Sequence, residues 1–133
     1  MVKAAVVHKA AINMLTVNAH TGHIVTGSAD KTVKCFDMRS GEGKNLNRVK
    51  LLKTTESVLC GELLDGGNLA MVGCNDGNLV AFDLSQEGKT GTSLYGYGCD
   101  ASGAINCLAA TPDQRSLVVG GDSGQALKLN FVT

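Results

Sequence analysis

Ser123 has surroundings that fit a catalytic nucleophile. It stands in the run Gly121-Asp122-Ser123-Gly124, and a serine in such a turn can attack a carbonyl carbon if a histidine within hydrogen-bond reach removes its proton. The three histidines of the chain, His8, His20 and His23, are all far upstream of it. A serine hydrolase at Ser123 is therefore a remote alternative, and the same four residues fit a tight turn between strands.

The other residue types that carry chemistry do not form a recognisable site. His20 and His23 flank a turn but have no further metal ligands near them in sequence. Gly41-Glu42-Gly43-Lys44 lacks the first glycine and the final hydroxyl residue of a phosphate-binding loop. The five cysteines form no CxxC pair and are expected to be buried thiols. We predict no catalytic residue, no metal, no cofactor and a reducing, cytoplasmic location, with nuclear or cytoskeletal association left open.

Charge and hydropathy argue against nucleic-acid and membrane partners. The chain carries 12 basic and 12 acidic residues, and its basic residues do not cluster. The longest uncharged stretch, 10–29, is interrupted by Asn, His and Gly, so it does not fit a membrane span. We expect a chain that binds neither nucleic acid nor membrane.

A segment of similar sequence recurs three times along the chain, which has the length of one domain. It begins at Val25, Met71 and Val118, so the copies are offset by 46 and then 47 residues. An upstream apolar segment keeps the same offsets and begins at Ile12, Val58 and Ile105. Repetition at this period is typical of folds built from stacked structural units.

Each copy has the pattern of short strands joined by tight turns. In the first copy, strands are predicted at 12–17, 23–26 and 32–36. The apolar runs are nearly continuous, so both faces of these strands should be covered. More polar segments follow at 47–53 and 92–98, where alternating charged and apolar residues are typical of an outer strand half in solvent.

These copies resemble the WD-repeat family of β-propellers. The family pattern has Gly-His before the first strand, Ser-Gly-Ser and a turn Asp after the second, and Trp-Asp ending the third. The matching residues of the three copies are His8, Gly27, Ser28, Asp30, Phe36 and Asp37, then Gly73, Asp76, Phe82 and Asp83, then Gly120 and Asp122. The resemblance implies an all-β fold of about three four-stranded antiparallel blades and a hydrogen bond between His8 and Asp30.

The copies also depart from the family pattern. The family's Trp is replaced by Phe36, Phe82 and Leu129, which removes a hydrogen-bond donor and keeps an apolar side chain. Thr54 and Ala101 stand where the second and third copies should have the His. The third copy is therefore the most divergent.

By this resemblance the chain is a propeller segment that is incomplete as a single chain. Residues 1–7 would be the outer strand of a preceding blade, 8–53 and 54–100 two blades, and 101–133 a third blade without its outer strand. Propellers typically have about 4–8 blades, so three should leave two apolar faces bare. Three outcomes stay open: the chain is the C-terminal part of a longer propeller, pairs with itself as a homodimer of about six blades, or pairs with another propeller-forming chain.

The predicted function is a non-catalytic scaffold for protein–protein interaction. Its rim loops, 18–22, 65–68 and 111–114, would contact partner proteins, since loops on a rigid scaffold often carry binding. An alternative comes from Ile24–Arg39, which resembles the box by which some WD proteins dock on the adaptor of cullin-type ubiquitin ligases. In that alternative the chain is a substrate receptor and Arg39 contacts the partner.

Overall fold

The computed structural model describes residues 6–18, 22–37, 47–84, 90–91, 93–98 and 103–130. Within these ranges the chain is built from short β-strands, which confirms the predicted all-β fold. The strands are β1 Ile12–Asn18, β2 His23–Ser28, β3 Thr32–Asp37, β4 Asn47–Lys53, β5 Val58–Leu64, β6 Leu69–Cys74, β7 Asn78–Asp83, β8 Thr90–Gly91, β9 Ser93–Gly98, β10 Ile105–Ala110, β11 Ser116–Gly121 and β12 Ala126–Asn130. A short 3-10 helix, Asp65–Gly67, connects β5 to β6.

The strands form three sheets, each an antiparallel meander. The first sheet runs β1-β2-β3-β4, the second β5-β6-β7-β9 and the third β10-β11-β12. None of the three sheets closes on itself, as the prediction of an incomplete propeller segment requires. In the part of the chain that the structure describes, the third sheet ends at β12 and has no fourth strand.

All three sheets contain the same irregularity at the same repeat position. The register between the first two strands shifts between Ile12 and Met14, between Val58 and Cys60, and between Ile105 and Cys107. An extra residue of this kind bends a strand and increases its twist. The three sheets are therefore equivalent in backbone geometry and not only in sequence.

Two apolar layers hold the sheets together. One layer lies between the first and second sheets, and its buried members include Met14, Val25, Val72 and Phe82. The other lies between the second and third sheets and includes Met71, Leu79, Ile105 and Leu117. The second sheet is thus covered on both faces, as the nearly continuous apolar runs predict.

Strand β8 is an element that the sequence analysis did not predict. Thr90 and Gly91 lie between β7 and β9 of the second sheet, yet they pair in parallel with Leu51 and Leu52 of β4, the outer strand of the first sheet. An outer strand exposes unpaired backbone N–H and C=O groups, and a neighbouring extended segment can satisfy some of them. The first sheet therefore has five strands, in the order β1-β2-β3-β4-β8.

Candidate interaction surfaces

His8 ties the segment before β1 to the strands that follow it. Its Nδ1 lies 2.9 Å from Oδ2 of Asp30, and its Nε2 lies 2.7 Å from Oγ1 of Thr26. The histidine is buried, with Asp30 in the β2–β3 turn and Thr26 on β2. The hydrogen bond that the resemblance implies between His8 and Asp30 is present in the structure.

Asp30 is the centre of this hydrogen-bond network. Its carboxylate accepts hydrogen bonds from the backbone N–H of Lys9 at 3.1 Å and of Thr32 at 3.0 Å, and from the Thr32 hydroxyl. Burial alone would raise the pKa of Asp30, but the bonds from Thr32, His8 and Lys9 outweigh it and hold this pKa well below its ordinary value of 3.8. The carboxylate is thus ionised and only accepts, so Nδ1 of His8 donates to it.

The β2–β3 turn also contains a backbone conformation that is unusual for its residue type. Lys31 has φ 69°, in the left-handed region that favours glycine. The equivalent residues in the other two turns are glycines, Gly77 with φ 84° and Gly124 with φ 78°. Of these three equivalent turns, only the β2–β3 turn holds a non-glycine residue in this conformation, and it is the turn that contains Asp30.

The turn aspartates of the other two sheets bind differently. Asp76 is exposed, and it accepts from the backbone and the side chain of Asn78 in its own turn. Asp122 accepts from Asn106 Nδ2 at 2.8 Å and from Ala104 N at 3.1 Å, and these bonds lower its pKa. Asp30 thus hydrogen-bonds to the segment just before the first strand of its sheet, and Asp122 to the residues at the start of the first strand of its sheet. Asp76 instead hydrogen-bonds within its own turn.

The repeat glycines of the first two sheets lie where a neighbouring sheet approaches closely. A Cβ added at Gly27 would lie 2.6 Å from Cγ1 of Val58, and one added at Gly73 would lie 2.5 Å from Cγ2 of Ile105. The equivalent Gly120 meets only Cys107 of its own sheet. Gly27 and Gly73 therefore serve sheet-to-sheet contact, whereas Gly120 meets no other sheet among the described residues.

The other described repeat residues pack or hydrogen-bond within the sheets. Ser28 is buried, accepts from Asp30 N at 3.0 Å and donates to Ala10 O at 3.2 Å. Phe36 and Phe82 are buried at the ends of β3 and β7, next to the half-buried Asp37 and Asp83. Arg39, the predicted partner contact, lies outside the described residues.

The outer side of the first sheet is an exposed apolar surface, here named the N-terminal end face. It consists of Ile12, Leu15 and Val17 of β1, which are 45%, 60% and 53% exposed. At the position of Ile12, the second and third sheets have Val58 and Ile105, both 0% exposed. The same repeat position is thus buried wherever a preceding sheet covers it.

The outer side of the third sheet is the second exposed surface, here named the C-terminal end face. It consists of Cys107, Ala109, Val118, Gly120 and Lys128, and Val118 is 38% exposed. The equivalents of Val118, which are Val25 and Met71, are each 1% exposed. Apart from Lys128, this face carries small side chains where the opposite end carries large ones.

The three predicted rim loops lie at one edge of the sheets, because each connects the first strand of its sheet to the second. Of the loop 18–22, the structure describes Asn18 and Gly22, and Asn18 Nδ2 donates to Gly66 O at 3.2 Å. In the third loop, Asp113 accepts from Thr111 Oγ1 at 2.7 Å and from Arg115 N at 3.0 Å. These bonds connect the first two loops and fix the third.

Comparison with family models matches segments that include parts of the first and third copies. The model described as WD domain, G-beta repeat matches residues 3–37 and 88–126, together more than half of the chain. The chain belongs to the WD40 repeat family. Members of this family generally act as protein-interaction modules rather than as catalysts. A search of curated proteins finds no significant match.

The WD40 turn also accounts for the serine that could have been a nucleophile. Ser123 is exposed in the β11–β12 turn, and its Oγ lies 3.4 Å from Gln125 N, which donates to it. His8 and His23 belong to the first sheet, whereas Ser123 belongs to the third. Among the described residues, no histidine lies beside Ser123 as a base.

Three of the four described cysteines are unreactive thiols, whereas Cys107, which was expected to be buried, is exposed. Burial raises the pKa of Cys35 and of Cys74 to about 11, and that of Cys60 to about 12. These cysteines are therefore protonated at neutral pH, which makes them poor nucleophiles and poor metal ligands. Within the described ranges, no three His, Cys, Asp or Glu side chains are grouped to hold a metal ion.

Within the same described ranges, no helix is both long and apolar enough to cross a membrane.

Sequence reasoning missed two features of these surfaces. Thr26 and Thr32 were not singled out, although a turn Asp commonly accepts a hydrogen bond from the backbone two residues on, which is where Thr32 stands. The bare side of β1 was also not assigned to particular residues. An apolar run gives no sign of which of its members lack a neighbour, so only coordinates could identify Ile12, Leu15 and Val17.

Proposed function

We propose that this chain is a non-catalytic scaffold that binds partner proteins through the loops at one edge of its sheets. The observation that carries the proposal is the common placement of the loops 18–22, 65–68 and 111–114, each between the first and second strands of its sheet. Loops held by a rigid scaffold are frequent binding sites. Membership of the WD40 repeat family supports the same role.

The chemistry of the loops supports a protein partner. The loop 111–114 presents Pro112, Asp113 and Gln114 to solvent, followed by the exposed Arg115. The loop 65–68 presents Gly66 and Asn68. Such a surface combines both charges with neutral polar groups, and it lacks the basic character that nucleic-acid binding requires. We propose protein partners, and neither nucleic acid nor membrane.

The two end faces would bind a second class of partner. They would be covered by another propeller-forming chain or by a second copy of this one, because exposed contiguous apolar surfaces mark contact sites. The free thiols of the described cysteines support a reducing, cytoplasmic location. The described residues favour neither a ubiquitin-ligase receptor nor a hydrolase at Ser123, so we propose neither of them.

The rim-loop proposal is tested by charge reversal on one edge only. Proteins captured by the immobilised chain from a native extract are compared with those captured by Arg115→Glu, beside the loop 111–114. Lys9→Glu, exposed in the segment before β1 next to the β2–β3 turn, is the matched control. We expect specific partners to be lost with Arg115→Glu and kept with Lys9→Glu. Recovery of no specific partner by the unaltered chain would contradict the proposal.

A further inference from the structure

We propose that a second copy of this chain covers both end faces, so that two copies form a head-to-tail ring of six sheets. The C-terminal end face of each copy would pack on the N-terminal end face of the other. This inference narrows the second class of partner named above, and it does not depend on the rim loops. Its failure would leave the rim-loop proposal untouched.

The exposures of equivalent residues show that both faces are built for burial. Ile12 is 45% exposed while Val58 and Ile105 at the same repeat position are fully buried. Val118 is 38% exposed while Val25 and Met71 are almost fully buried. Both exposed residues keep the apolar type of their buried equivalents. A first sheet that faced solvent on its outer side would be expected to carry polar side chains in place of Ile12, Leu15 and Val17.

The two end faces also reproduce the contact that already joins the second and third sheets. At that contact Ile105 packs over Gly73, and Cys60 Sγ lies 3.6 Å from the backbone oxygen of Ile105. The C-terminal end face has Gly120 and Cys107 at the positions of Gly73 and Cys60. The N-terminal end face has Ile12 at the position of Ile105. Joining the two faces would therefore place an isoleucine over a glycine beside a cysteine, the combination that packs within the chain.

The contact between the first and second sheets supplies a polar counterpart. There Asn13 Nδ2 donates to Val58 O at 3.0 Å. The equivalent residues at the ring-closing contact are Asn106 of one copy and Ile12 of the other. Asn106 Nδ2 donates one hydrogen to Asp122 Oδ1 at 2.8 Å, and an amide nitrogen has a second hydrogen to give. The closing contact can thus repeat a hydrogen bond that the chain already makes.

The side chains of the two end faces are complementary in size. At the first internal contact the large Met14 packs against Gly61, the equivalent of Leu15. At the closing contact the sizes are exchanged, with the large Leu15 against Cys107, the equivalent of Met14. Lys128 also lies on this side of the third sheet, at the repeat position of the buried Cys35 and Ala81, so in the ring its apolar stem would lie between the sheets and its ammonium would extend to the rim. Both arrangements fill the space between the sheets with one large and one small side chain.

The number of sheets favours two copies over any other number. A head-to-tail contact closes into a ring when the rotation between copies allows it. Closed propellers typically have about 4–8 blades, so two copies of three sheets fall within this range and three copies exceed it. A like-with-like pairing of two N-terminal end faces would leave the C-terminal end faces bare. The head-to-tail dimer covers all of them.

The test is the mass of the chain in solution, measured by sedimentation equilibrium at micromolar concentration. We expect twice the chain mass of 13.7 kDa. Leu15→Glu and Val118→Glu should each weaken dimerisation by about tenfold or more, while Thr55→Glu in an exposed turn should leave it unchanged. A monomer, an open polymer or an unchanged dimer dissociation constant in Val118→Glu overturns the proposal. An unchanged constant in that variant would indicate like-with-like pairing.

A second measurement does not require a disruptive substitution. Leu15→Cys places a thiol where the proposed contact brings Cys107 of the other copy. Under a mild oxidant, we expect a disulfide-linked dimer on a non-reducing gel, with a mixed disulfide between residues 15 and 107 identified by peptide mapping. Thr55→Cys is the matched control. If Leu15→Cys gives no more cross-linked dimer than Thr55→Cys, a second copy does not cover this face.

Discussion

The second sheet and the two outer sheets are built from the same repeat, but equivalent residues differ in how much apolar surface they bury. Met71 and Phe82 of the second sheet are buried by the sheets on either side. Their equivalents in the third sheet, Val118 and Leu129, are more exposed. The difference shows that the energetic value of a repeat position depends on its neighbour as much as on its residue type, because apolar burial requires a second surface.

The largest expected effect compares Phe82 with its equivalent in the third sheet. Phe82→Ala should lower the free energy of unfolding by about 3–5 kcal/mol, because it empties a fully buried site. Leu129→Ala should cost clearly less, since Leu129 is half-buried. Urea denaturation followed by circular dichroism checks both variants. Equal losses would show that the third sheet is as well packed as the second.

A smaller effect is expected at the repeat glycines. Gly73→Ala puts a methyl group 2.5 Å from Ile105, so the second and third sheets must separate locally, at a cost of about 1–3 kcal/mol. Gly120→Ala meets only the exposed Cys107 and should cost less than about 1 kcal/mol in the dissociated chain. The measurement is urea denaturation at a concentration low enough to keep the chain monomeric. A larger loss for Gly120→Ala would reverse the comparison.

The next comparison concerns the network of the first sheet. His8→Ala should cost about 1–3 kcal/mol, because it removes one hydrogen-bond partner from the buried Thr26 hydroxyl and one from the Asp30 carboxylate. Thr54→Ala, at the corresponding position of the second sheet, removes a bond to Glu56 O in a half-buried turn and should cost under about 1 kcal/mol. Thermal unfolding of both variants provides the measurement.

The same network predicts an acid dependence. Because the pKa of Asp30 is lowered by folding, its contribution to stability is complete above 3.8 and is lost as the pH falls below that value. Asp30→Asn should therefore be less stable than the unaltered chain at neutral pH, with the difference shrinking in acid. Unfolding curves between neutral pH and pH 3 check this. A difference that stays constant with pH would show that Asp30 has no special role in acid sensitivity.

The smallest effect is a gain in stability. Lys31→Gly removes a left-handed backbone conformation that the equivalent Gly77 and Gly124 adopt without strain. Relief of the strain raises the free energy of unfolding, and we expect a gain of up to about 1 kcal/mol. The gain is limited because glycine also gives the unfolded chain more conformational freedom, which stabilises the unfolded state. Lys31→Ala is the control and should give no gain. Denaturant titration of both variants measures the difference.

The repeat could be predicted from the sequence because Ile12, Val58 and Ile105 keep their spacing. The same spacing predicted the sheets and the covering of the second sheet on both faces. The parallel strand β8 could not be predicted, because pairing of Thr90 with Leu51 depends on where the chain crosses between sheets and not on residue type. The hydrogen bond between Asp122 and Asn106 was missed because it joins the β11–β12 turn to strand β10, and the family pattern gives the turn Asp a His partner that the third copy lacks.

Strand β8 has a consequence for where this chain can be divided. A boundary drawn between Lys53 and Thr54 would separate the first repeat from two residues that hydrogen-bond to its outer edge. A cassette that carries the complete first sheet must therefore extend to Gly91, which takes most of the second repeat with it. Recombination or grafting experiments should move the first two repeats together. The third repeat, whose sheet takes its described strands from 105–130, can be exchanged alone.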